Sequence, residues 1–260
     1  MPPSPIPLMP GPWRPLAPGH AAGFALRLAA LLAQPRSHEA LAPHHRVTGL
    51  RAMPLSFYPG WALVEGEALV EPGLAGTFDV LYGPGLMWLI DGESRMLNDL
   101  NAGCVPRDLE RHLNAGPAQG VGDAGAARAQ AHDPAGFIAS PLRGLDDPAT
   151  GADFLRFYCA CVWGEEGPFM PVESADSPAL RGFEARDAVW LGRLRPLTLT
   201  RDGEDLIAEG VIAYGRSLFE ARLRVRDGGV RMEDDAPIAA DVLPERINAA
   251  PLRDLRRTQE

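Results

Sequence analysis

An α+β fold made of antiparallel, hairpin-rich sheets with a few peripheral helices is what this 260-residue sequence predicts. Three observations carry that expectation. The apolar runs Thr77–Tyr82 and Leu86–Asp91 flank Gly83-Pro84-Gly85, a connection whose glycines supply positive φ at little cost. Turn signals recur at short intervals through the second half, at Arg201-Asp202-Gly203 and Asp227-Gly228-Gly229, which favours antiparallel pairing. Helical spacing, by contrast, is confined to a few short stretches.

Composition bounds the rest. With 46% hydrophobic and 23% charged residues the chain can bury a real core, as one large domain or two small ones. A net charge of -9 argues against a general nucleic-acid binder, which carries a basic footprint. All 25 basic residues are arginine, so mechanisms that need a lysine Schiff base or a P-loop lysine drop out. Cys104, Cys159 and Cys161 make no disulfide framework in a chain this long, which fits a reducing, cytoplasmic setting. No apolar run approaches the ~20 residues a membrane span requires. Ala21–Ala33 alone resembles a signal segment, and Arg27 interrupts it.

Taken in order, residues 1–19 are proline-rich and read as an extended arm. A helix is expected over Ala21–Gln34, because Phe24, Leu28, Leu31 and Leu32 form one stripe and Pro35 follows. His38, His44 and His45 fall in a polar connection without ligand spacing, so no metal is expected there. Strands follow at Trp61–Val70 and in the Gly83–Gly85 hairpin. A short helix should carry Met96, Leu97 and Leu100, and another is plausible at Pro106–Leu113.

Residues 116–136 lack aromatics and hold only Val121 as a large aliphatic, so they read as a linker between an N-terminal part, 20–115, and a C-terminal part, 137–260. The second part opens on Phe154–Trp163, ten mostly apolar residues before a turn, which suit a strand buried on both faces. Ribbons are expected at Ala188–Thr200, Leu206–Tyr214, Ser217–Arg226 and Val230–Glu233. An amphipathic helix through Ile247, Leu252 and Leu255 would end the chain, although Pro251 interrupts it. Phe78-Asp-Val-Leu-Tyr-Gly83 and Val211-Ile-Ala-Tyr-Gly215 echo each other, which admits two related halves.

Few constellations carry chemistry. On a strand, Cys159 and Cys161 would share a face, but a closed metal site needs four ligands and a second pair is missing. Gly120-Val-Gly122-Asp-Ala-Gly125 matches a dinucleotide fingerprint yet follows no strand. Glu165 and Glu166 lie in a turn beside Trp163, as Asp91 and Glu93 do beside Trp88; such pairs can serve acid–base catalysis when their surroundings differ. Arg222, Arg224 and Arg226 alternate along one strand face, where they would hold a phosphate or pair with acids on adjacent strands.

The preferred expectation is a non-catalytic binding or interaction module within a larger assembly, without cofactor. It would use aromatics beside exposed turns: Tyr58 and Trp61, Tyr82 and Trp88, Trp163 and Phe169. The competing expectation is a small-molecule enzyme in a sheet concavity, with Glu165, Glu166 or Cys159 as participants. A phosphate or nucleic-acid binder acting through the arginine stripe ranks third.

Overall fold

The computed structural model of the chain describes residues 6–33, 40–107, 136–183 and 188–258. The arm runs into β1 (Arg14–Pro15), then α1 (Pro18–Leu32), β2 (Arg46–Pro54), β3 (Ala62–Glu71), β4 (Leu74–Gly83) and β5 (Leu86–Leu89). Helix α2 (Ser94–Asn101) and β6 (Val105–Pro106) follow, and then β7 (Phe137–Ile138) and helix α3 (Pro148–Cys161). The remainder is β8 (Trp163–Gly164), β9 (Gly167–Pro168), β10 (Met170–Pro171), β11 (Thr198–Asp202), β12 (Asp205–Tyr214), β13 (Ser217–Arg226), β14 (Gly229–Ala239), β15 (Ile247–Ala249) and β16 (Leu252–Arg257).

Among the described residues two large antiparallel sheets and two two-stranded ribbons, β6-β7 and β8-β9, result, as the hairpin signals predict. The first runs β1-β2-β3-β4-β16-β15, and the second runs β10-β12-β13-β14. In each, one long strand shares its outer edge between two short partners. Strand β4 pairs β16 at Leu74–Thr77 and β5 at Val80–Gly83, while β12 pairs β11 at Asp205–Glu209 and β10 at Ile212–Ala213. The Tyr-Gly echoes both close a strand at a hairpin. The long partner precedes β4 but follows β12, so the likeness is local.

Three expectations need correction. Phe154–Trp163 is not a strand. Residues 148–161 form α3, started by Asp147, whose carboxylate accepts from Thr150 N at 2.8 Å, and by Pro148 in the first turn. Cys159 and Cys161 therefore point about 200° apart around a helix instead of sharing a face. The C-terminal tail is strand, because Pro251 cannot sit inside a helix and the lower edge of β4 would otherwise lack a partner. Within Ala188–Thr200, Val189–Arg193 is a 3₁₀ turn and only the end is strand. Arg46–Pro54, for which the sequence sets no element, is a full strand on β3. The Pro106–Leu113 helix and the linker fall almost wholly outside the described residues, with Pro106 itself in β6.

The period-two alternation sorts side chains into three cores. Phe24, Leu28 and Leu32 of α1 cover one face of the first sheet at Val64, Phe78 and Val80. The opposite face, with Leu63 and Leu81, meets Phe154, Leu155 and Phe157 of α3, and the same cluster takes in Leu206, Leu223 and Val225 of the second sheet. Sheets from both halves thus share α3 and one core. The outer face of the second sheet, at Val211 and Ala213, is capped by Ala179, Leu180, Trp190 and Leu243.

The same alternation turns Glu65 and Asp79 toward the central core, beside Leu63 and Leu81. They are 1% and 2% exposed, and a lone carboxylate there would be costly. Arg253 of β16 answers both: its Nε donates to Asp79 at 2.6 Å and its Nη2 to Glu65, while Nη1 donates to the Ile6 carbonyl. Leu8 N donates to Glu65 at 3.2 Å, and Arg51 Nε bonds the same carboxylate at 2.6 Å. The proline-rich arm is thereby a core element, with Leu8 and Met9 buried. No described helix is long and apolar enough to cross a membrane.

Candidate functional site

Strands β8 and β9 pair Trp163 with Pro168 and Gly164 with Gly167, which leaves Glu165-Glu166 as a two-residue hairpin loop. The loop is braced by two side chains, each itself held in place. Tyr214 OH accepts from Glu166 N at 3.1 Å, and its ring stacks on Phe169 at 4.5 Å and 13°. Asn248 Nδ2 donates to Glu166 O at 3.0 Å, while Asn248 Oδ1 accepts from Asp254 N at 3.1 Å. Glycine makes the close approach possible. Gly167 has φ 112°, and a Cβ there would lie 2.3 Å from Asn248 Nδ2; one on Gly215 (φ 56°) would lie 1.5 Å from Glu166 Oε2.

Beneath this loop lies a cleft of about 380 Å³. Its apolar wall is Met170, Ala179, Ala213 and Leu243, and its charged lining is Glu165, Glu166, Glu245 and Asp254 against Arg216, Arg246 and Arg253. Three of those charges have internal partners. Arg253 is turned to Glu65 and Asp79, Arg216 lies 3.9 Å from Asp241, and Asp254 lies 3.8 Å from Arg256. Arg246 differs. Its Nη2 donates to the carbonyls of Pro178 and Ala179 at 3.2 and 2.9 Å, and among the described residues no carboxylate pairs with it. Burial pushes Arg246 below the usual arginine range; Asp254 opposes this, and Arg253 and Arg181 add to it.

The sequence-derived candidates are scattered. Glu165 and Glu166 line the cleft, and Trp163 stands half-buried at its hairpin, its N–H donating to Gly92 O at 3.0 Å. That bond brings the two acidic turns, at 91–93 and 165–166, close together. Trp88, Tyr58 and Trp61 are 7%, 0% and 5% exposed, inside the central core. Tyr82 packs against α1, edge-on to Phe24 at 6.0 Å and bonded to Arg27. Cys159 is buried in α3, and burial pushes its thiol up to about 12, so the nucleophilic thiolate is scarce at neutral pH.

The arginine stripe is satisfied within its own sheet. Arg222 pairs with Glu209 and Glu233, Arg224 with Glu233, Asp202 and Asp205, and Arg226 with Asp205. Hydrogen bonds from Arg226 and Arg224 hold the Asp205 carboxyl at about 2. An ordinary aspartate titrates at about 3.9. The folded value is the lower one, so Asp205 contributes stability that is present above pH ~4 and lost as pH falls toward 2. Thermal melts from pH 5 to 2 should show a shallower acid limb in Asp205→Asn than in the parent. Parallel limbs would refute the pairing.

No family model, curated protein or solved structure matches the chain. Sequence reading found the Glu165-Glu166 loop through its turn signal but missed Arg246, Asn248 and Tyr214. Arg246 and Asn248 are single polar residues in a segment with no motif, Tyr214 stood out only through the Tyr-Gly echo, and only the fold gathers the three.

Proposed function

We propose that the chain is a non-catalytic binding module whose ligand is a small molecule bearing an acidic group, seated in the cleft under the 164–167 hairpin. The observation that carries this is Arg246, a half-buried guanidinium tethered to two carbonyls and, among the described residues, without an ion-paired carboxylate. A guanidinium so placed has donors left over, and its fork matches a carboxylate or phosphate. The small apolar wall beside it suits a ligand with a short hydrocarbon portion.

Several features favour binding over catalysis. Glu165 and Glu166 are neighbours in one exposed loop, with no contrast of surroundings to divide them into acid and base. Cys159 holds its proton at neutral pH. An interface built on the ring pairs would have to rely on Trp163 and Phe169, because Tyr58, Trp61 and Trp88 spend their surface in the core.

A thermal-shift panel of small carboxylates and phosphates checks the reading. A genuine ligand at a hundredfold excess over its Kd should raise Tm by about 5–10 °C. Arg246→Met should erase that rise while melting close to the parent. A panel without any dose-dependent shift would defeat the proposal.

A further inference from the structure

The cleft holds opposite charges that do not meet. Among the described residues Arg246, Glu165, Glu166 and Glu245 form no ion pair, Asp254 acting on Arg246 only from a distance. Free charges of opposite sign in one recess normally collapse onto each other, as Arg224 and Arg226 do onto Asp205. Here the fold keeps them apart. Two backbone carbonyls draw Arg246 toward residues 178 and 179, and Tyr214 and Asn248 pin the glutamate loop on its own side.

That separation restricts the occupant. A bare anion such as phosphate would meet Arg246 but also face three glutamates, and a bare cation would face the guanidinium. A molecule that carries both signs a few bonds apart bridges the gap and leaves neither set unanswered. We propose that the ligand is a zwitterion of the amino-acid class, its carboxylate on Arg246, its ammonium on Glu165 and Glu166, and its side chain against Met170, Ala213 and Leu243. The assignment rests on the cleft being a ligand site, as argued above. A volume of about 380 Å³ lies at the small end of ligand pockets, which suits one amino acid or a dipeptide.

The test compares the twenty amino acids with their N-acetyl derivatives, which keep the carboxylate and lose the ammonium. Binding to the full chain is followed by thermal shift and then calorimetry. At least one amino acid should bind, and its N-acetyl form should bind at least tenfold more weakly. Glu165→Gln with Glu166→Gln should weaken the amino acid about tenfold without altering the fold, and Arg246→Met should abolish it. Equal binding of an amino acid and its N-acetyl form, or insensitivity to the double glutamine variant, would overturn the zwitterion while leaving the acidic-group reading intact. Binding of phosphates or dicarboxylates alone would do the same. Silence across all these compounds would sink both.

Discussion

Arg253→Met should lower the unfolding free energy by about 3–5 kcal/mol, because it strands the buried Asp79 carboxylate and leaves Glu65 with Arg51 as its remaining charged partner. Glu65 and Asp79 are each almost fully buried and point into a core of Leu63, Leu81 and α3 side chains. Burial already raises the Glu65 carboxyl, and Asp79 raises it further, while Arg253 and Arg51 hold it down. Without Arg253, burial and Asp79 act on Glu65 against Arg51 alone, which drives its carboxyl further upward. Its folded-state titration then lies above the unfolded one, so the variant should keep most of its stability at low pH and lose it as pH rises toward neutrality. Urea denaturation at pH 5 and pH 7.5 reads this directly. Adding Glu65→Gln and Asp79→Asn to the variant should recover part of the loss, since no buried carboxylate is then left unanswered. A cost below about 1 kcal/mol at pH 7.5 would show that the cluster is solvated.

How much of this was legible depends on how local each cause is. The hairpins β4–β5, β12–β13 and β13–β14 could be read because a glycine turn and two alternating runs lie within about twenty residues of each other. Helix α3 was misread because nearly every position from Phe154 to Trp163 is apolar, which hides a 3.6-residue period as thoroughly as a two-residue one. The better cue sat upstream, in Asp147-Pro148-Ala-Thr150 and in the lack of any β-branched residue from Gly151 to Cys161. Strand β16 was out of reach for a different reason. Its partner β4 lies more than 170 residues earlier, and only the empty edge at Leu74–Thr77 calls for it. Asp79 did leave a trace as the single acid inside an apolar strand, and Glu65 as an acid on the apolar face of β3, but nothing local names Arg253 as their answer. Arg246 left none, since its setting is made by carbonyls 67 and 68 residues away.

Phe157→Ala should cost about 3–5 kcal/mol, the usual range for emptying a fully buried aromatic site. The ring is 0% exposed, 5.2 Å from Phe57 and 5.8 Å edge-on from Tyr58, so no side chain can swing out to fill the space. Phe157→Leu keeps much of the volume and should cost clearly less. Its neighbour Arg156 sits on the other side of α3, bonded to Glu173 and Asp153. The alanine variant also reports on how the halves are joined, because Phe157 belongs to the cluster that includes Leu63 from the first sheet and Leu206 and Leu223 from the second. A weakened shared core lowers both sheets together. Tryptophan fluorescence and far-ultraviolet dichroism should therefore give coincident urea transitions in parent and variant, displaced to lower urea in the variant. Two separated transitions, with only one displaced, would mean that α3 serves a single sheet and that the halves unfold as independent units.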